Sequence, residues 1–295
     1  MKYKNTCIFF SFILIILCLT GCKLQKNNED DLLKQKADDS IQYLDTSIIS
    51  LLNKLNNITF ENFYVTTEKI TLNNKSSSNT NAESDSSNKS NEEGGENSSG
   101  SKNNQETKIN VSNMKSHNIL LEDRNNINWD RLKSDAENLY SSWDSIIIDL
   151  YKLGINNEDI LKFSSYLDEA LINIKQEKKE NTLVILANLY NLLPVFRDSY
   201  SEDKTRVNIG WTKAHIVSAY SGVGNRNWNV VLTEIANAEN AYNSVISDAE
   251  FVNKAPYNSN KTYVCLKELQ NSVGLQDEDI FYIKYKKFME EVSLL

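Results

Sequence analysis

The chain has 295 residues, 40 acidic against 32 basic, and a formal charge of −8. That balance excludes a nucleic-acid binder, because neutralising phosphates needs a basic surface. It also opposes a protein body that lies flat on anionic lipid.

Lys2 and Lys4 form a short positive region before an apolar run, Cys7 to Leu19. The run is long enough for a signal-peptide core and short for a membrane span, which needs roughly 20 apolar residues. It ends in Leu19-Thr20-Gly21-Cys22, and Lys23, Gln25 and Lys26 then stop the apolar character abruptly. This segment resembles the lipobox of bacterial lipoproteins that signal peptidase II processes. The resemblance covers only the first 22 residues, but the combination is specific. It implies that residues 1–21 leave as a signal peptide, that cleavage falls before Cys22, and that the Cys22 thiol carries a diacylglyceryl group. It also implies a place on the outer face of the cytoplasmic membrane, in a Gram-positive-type envelope, with the membrane as partner through the lipid. Two acyl chains are what stable anchoring requires. Loss of Lys2 and Lys4 leaves the mature chain at −10.

Four cysteines are present. Cys7 and Cys18 belong to the leader and Cys22 is spent on lipid, so Cys265 alone remains and no internal disulfide can form. Cys265 lies on an expected helix without a partnering base and reads as a small buried hydrophobe rather than a nucleophile.

After a tether at 22–29, apolar residues recur at alternating spacings of three and four, the signature of amphipathic helix. Leu33, Ala37, Ile41, Leu44, Ile48, Leu51, Leu55 and Ile58 mark a helix over 30–58. Residues 59–126 form a linker. Its centre, 73–106, is rich in Asn, Ser, Glu and Gly, and its composition predicts disorder. The flanks, 59–72 and 107–120, carry β-leaning patches that would pair as a small ribbon.

From 127 to 295 the pattern predicts a helical bundle. Trp129, Leu132, Ala136, Leu139, Trp143, Ile146, Leu150 and Leu153 form the cleanest seam, and Gly154 ends it. Asn157 is expected to cap the next helix, whose seam is Ile160, Phe163, Leu167, Ala170 and Ile174. The following helix holds Pro194 inside it and should kink there. A weaker helix with Val207, Trp211, Ala214 and Val217 is expected to break at Gly222-Val-Gly224. Trp228 to Ala249 resume the pattern, Pro256 marks a boundary, and two shorter helices finish the chain. Leu153 to Ile160 echoes Val273 to Ile280, which reads as one helix-turn-helix solution used twice.

The two mature histidines, His117 and His215, lack metal spacing. Met114 and Thr212 stand where a Glu-x-x-His pair would need Glu. No phosphate loop or nucleophile elbow occurs, and the paired carboxylates lie at helix starts or on polar faces. The seams read as free of ionisable groups. No cofactor or metal is expected.

The expectation is therefore all-α: an antiparallel helical bundle behind a lipid anchor, with a disordered insertion. Its function reads as non-catalytic, an interaction or scaffold lipoprotein with an envelope protein as partner. The alternative is a small-ligand-binding lipoprotein with an apolar site near Trp211, Trp228 and Pro194. Candidate surface residues are Tyr282, Trp211 and Trp228. Tyr282 lies about 100° from the seam residue Phe281 on a helix and can point outward; the equal alternative is that it covers a neighbouring helix.

Overall fold

A computed structural model of the chain describes residues 3–58, 124 and 126–295, with side chains from residue 29 onward. The linker expectations, disorder at 73–106 and strand pairing of 59–72 with 107–120, lie outside the described residues, as does His117. All regular structure among the described residues is helix. In chain order the elements are α1 (Tyr3–Leu55), α2 (Trp129–Lys152), α3 (Asn157–Lys175), α4 (Lys179–Tyr200), α5 (Lys204–Gly224), α6 (Trp228–Ile246), α7 (Ala249–Lys254), α8 (Pro256–Val273) and α9 (Glu278–Val292).

Cross-links between neighbours show that the helices run up and down. Trp143 Nε1 donates to Ser164 Oγ at 2.8 Å between α2 and α3, and Asn191 Nδ2 to Ser218 Oγ at 3.0 Å between α4 and α5. Short connections between antiparallel neighbours give this arrangement. The predicted seams form the core. Leu132, Leu139, Leu150, Ile160, Phe163, Ile174, Leu186, Leu189, Phe196, Val231, Ile235, Phe281 and Phe288 are all buried. Trp143 is 3% exposed and its ring lies 4.1 Å from that of Phe163 and 6.2 Å from that of Phe196.

The N-terminal helix belongs to this core. Ala37, Ile41, Leu44, Ile48, Leu51, Leu55 and Ile58 are buried against the bundle, so α1 is docked rather than projecting. The boundaries expected at 22 and 30 do not interrupt the helix, which runs unbroken from Tyr3 to Leu55.

Helix boundaries depart from the sequence reading in instructive ways. Asn156, not Asn157, is the N-cap of α3, its side chain accepting from Glu158 N at 2.9 Å. Pro194 sits inside a helix that continues to Tyr200. There α4 and α5 approach closely, since a Cβ built on Gly210 would meet the Pro194 Cβ at 3.4 Å. The break expected at Gly222-Val-Gly224 is there: α5 ends at Gly224, Asn225 is its C-cap and α6 starts at Trp228. The same glycines allow close packing, since a Cβ on Gly224 would fall 2.5 Å from Leu183 Cδ1 of α4.

The turns divide into two ends. At one end Gly154 takes a left-handed φ of +73° after α2. At the other, four non-glycine residues do so, Asn57, Glu177, Arg226 and Gln276. The repeated Leu153–Ile160 and Val273–Ile280 segments therefore differ in backbone. Gly154 is left-handed, whereas Gly274 is right-handed at φ −63° and Gln276 takes the left-handed position. Three of the four polar residues use their side chains as ties. Glu177 meets Lys133 at 3.2 Å, Arg226 meets Glu278 at 3.0 Å, and Asn57 Nδ2 donates to Asn126 O at 3.0 Å. A left-handed conformation costs a non-glycine residue roughly 1–2 kcal/mol, and exposed ties of this kind return at most about 1 kcal/mol of it.

Two expectations follow. Trp143→Ala should destabilise by roughly 3–5 kcal/mol in denaturant unfolding, because it empties a packed aromatic cluster. A change under about 1 kcal/mol would show that the cluster is not core. Gln276→Gly should raise stability by about 0.5–1 kcal/mol by relieving the left-handed strain; a loss would mean that its side chain does cohesive work.

Candidate functional site

The three aromatic residues read from sequence as a surface do not form one. Tyr282 is 1% exposed. Its ring lies 4.8 Å from Tyr220 and 5.9 Å from Phe281. Arg124 stands 5.4 Å over the Tyr282 ring and pairs with Glu278 and Asp279 at 2.7 and 3.0 Å. The outward reading of Tyr282 fails because α9 packs against both α5 and α8, so more than one stripe of the helix is covered. Gly224 leaves the room, with its built Cβ 3.5 Å from the Tyr282 hydroxyl.

Trp211 and Trp228 are half-buried and pack on the core. Trp211 lies thirteen residues before the end of α5 at Gly224, so roughly 20 Å of helix lies between it and the turn that leads to Trp228. Trp211 stacks with His215 at 6.1 Å, and His215 Nδ1 meets Glu234 Oε2 at 2.7 Å. This pair fixes the imidazole between α5 and α6. Among the described residues no group of three or more His, Cys, Asp or Glu is placed to hold a metal ion. Cys265 is buried, and burial pushes its thiol above the ordinary range, which keeps it protonated.

Polar groups inside the bundle are the feature that the seams hid. Asp149 is 4% exposed and pairs with Lys36 at 2.6 Å and Lys152 at 3.6 Å, so the interior is not free of ionisable side chains. Along α1, Asp38, Asp45 and Asn56 fall on one line of the helix. Asp38 accepts from Arg197 Nε at 3.2 Å, the Tyr200 hydroxyl at 2.7 Å and Arg206 at 3.4 Å. Asp45 accepts from the Tyr190 hydroxyl at 2.6 Å and from Lys213. Asn56 donates to the Tyr220 hydroxyl at 2.7 Å, which donates to Leu52 O at 2.9 Å. Burial holds the phenols of Tyr190, Tyr220, Tyr282 and Tyr285 well above their ordinary range, so all four stay neutral, and the first two donate to Asp45 and to Leu52 O. On the neighbouring turn Asn53 is buried with neither side-chain amide atom bonded. This network locks α1 to α4 and α5; it presents no open reacting group.

Exposed apolar residues occur on both α2 and α3. Ile148 is 54%, Leu161 61% and Ile172 53% exposed, and Tyr140 and Tyr151 are exposed as well. Leu161 and Ile172 share one stripe of α3, eleven residues or three turns apart. Periodicity passed over them because they lie off the core seam, and an exposed face carries no periodic signal of its own.

Removing one hydroxyl tests the network. Tyr220→Phe should cost roughly 1–3 kcal/mol, because it leaves the Asn56 amide and the Leu52 carbonyl unpaired inside the core. An unchanged melting curve would show that these bonds contribute nothing. No family model matches the chain, and no curated protein or solved structure shows a significant similarity to it.

Proposed function

We propose that this chain is a bacterial lipoprotein anchored through Cys22, whose bundle serves as a non-catalytic recognition or scaffold module for another envelope protein. The observation that carries the anchor is Leu19-Thr20-Gly21-Cys22 at the end of an apolar run that follows two lysines. Among the described residues no helix is long and apolar enough to cross a membrane. The recognition reading draws support from the exposed Ile148, Leu161 and Ile172 on α2 and α3. Apolar side chains presented by a rigid helix pair suit a partner with a complementary apolar strip. The ligand-binding alternative near Trp211, Trp228 and Pro194 has less support, because Pro194 packs against Gly210 and Trp211 on α5 stands far along that helix from the turn that leads to Trp228 on α6.

Two experiments test the two halves of the reading. Cys22→Ala should leave the protein unlipidated and shift it out of the membrane fraction, as mass analysis of the N-terminus and fractionation would show. Wild-type protein with an unmodified Cys22, or with residues 1–21 attached, would overturn the anchor. For the bundle, Leu161→Glu with Ile172→Glu should change stability by no more than about 0.5 kcal/mol per site, since both are exposed. The double variant should lose a cross-linked envelope partner that wild type captures in intact cells. Retained cross-linking, or a stoichiometric small molecule in the purified wild type, would overturn the recognition reading.

A further inference from the structure

Helix α1 is unbroken from Tyr3 to Leu55, passes through Cys22, and enters the core at Ala37. Fifteen residues of helix between Cys22 and Ala37 rise about 22 Å. Beyond Ala37 the helix cannot swivel against the bundle. Lys36 is tied to Asp149, Asp38 to Arg197 and Tyr200, Asp45 to Tyr190 and Lys213, Lys54 to Asp135, and Asn56 to Tyr220. Its direction therefore assigns the two ends of the bundle. The α2–α3 and α4–α5 turns lie at the end where α1 enters, as Lys36 to Asp149 and Lys34 to Glu202 at 3.7 Å show. The opposite end holds the α3–α4, α5–α6 and α8–α9 turns, and the chain leaves the bundle there at Ile58 and is back at Asn126.

Charge follows the same axis. Lys23 and Lys26 stand nearest Cys22, and Glu29, Asp30 and Asp31 come next. Seven residues of helix put those acids about 10 Å from Cys22, close to one screening length at 0.1 M salt. The entry end itself is of mixed charge, with Glu202 paired to Lys34, Asp149 to Lys36 and Lys152, and Glu250 to Lys254, so the acids that face the lipid first are Glu29, Asp30 and Asp31 on the stem.

We infer that the bundle stands end-on above an anionic bilayer, on α1 as a stiff stem, with the α2–α3 and α4–α5 turns facing the lipid and the left-handed polar turns facing away. This rests on the anchor at Cys22 proposed above. The cations beside the lipid attract anionic headgroups and the acids above them repel the same surface, so the pair of layers resists collapse of the body onto the membrane.

The test uses the full, lipidated protein in phosphatidylcholine–phosphatidylglycerol vesicles that contain an acceptor-labelled headgroup. Two single-label variants carry the donor at the two ends of α4, Glu202→Cys and Asn181→Cys. Both sites are exposed, and the native Cys265 is buried. They lie about 30 Å apart along the helix, so energy transfer from position 202 should exceed that from 181 at least about twofold. Inserting a Gly-Ser segment between Lys26 and Glu29 should bring the two values together while the protein still floats with the vesicles. Equal transfer, or stronger transfer from 181, in protein that floats would overturn the orientation and leave the anchor standing. Protein that lacks the lipid and does not float would overturn both.

Discussion

The docking of α1 is the constraint on which the rest of the molecule depends. Helices α2 to α9 pack along a chain of neighbours, each covering part of the next. Helix α1 is remote in sequence from most of what it touches, yet it fills the groove between α2 and α4 and reaches α5 through polar side chains. Leu44, Leu52 and Leu55 supply apolar burial that many helices could supply. The choice of register comes from Asp38, Asp45 and Asn56, each of which meets a particular donor or acceptor on α4 or α5. A slide of one turn would bury a carboxylate without its hydroxyl or amine, which costs far more than a displaced leucine.

Much of this architecture was legible from residue spacing. Trp143, Phe163, Leu189 and Val231 were placed inward by the three-and-four rhythm and are inward. The rhythm reports one stripe per helix and fails where a helix is covered on two sides, which is why Tyr282 could be read as outward. It also carries no information about pairing across long separations. Nothing local marks Asp45 as the partner of Tyr190 or Asn56 as the partner of Tyr220, so these residues looked like ordinary polar positions. Gly222 and Gly224 mark the end of α5, as read from the sequence. Their second role was not legible, because glycine signals either a turn or a close approach and the close neighbour, here Leu183, is remote in sequence.

The functional proposals rest on different layers of the molecule. The anchor depends on a short stretch of covalent chemistry at Cys22 and would hold for almost any attached domain. The recognition reading depends on exposed side chains such as Leu161 and Ile172, which burial in the bundle leaves unexplained. Between them lies α1, which belongs to both. With the proposed lipid on Cys22, it would carry any force on that lipid straight into the hydrophobic core instead of into a slack connector, and the Lys36–Asp149 tie to α2 would be among the first loaded.

The bonds that fix α1 also set a timetable. Asp45 and Tyr190 are 145 residues apart, and Asn56 and Tyr220 are 164 apart. During synthesis α1 emerges first but has no groove until α4 and α5 have followed. A chain with such separations closes its loops late and folds slowly compared with one built from local contacts. The first helix made is thus seated only after the fourth and fifth have followed it.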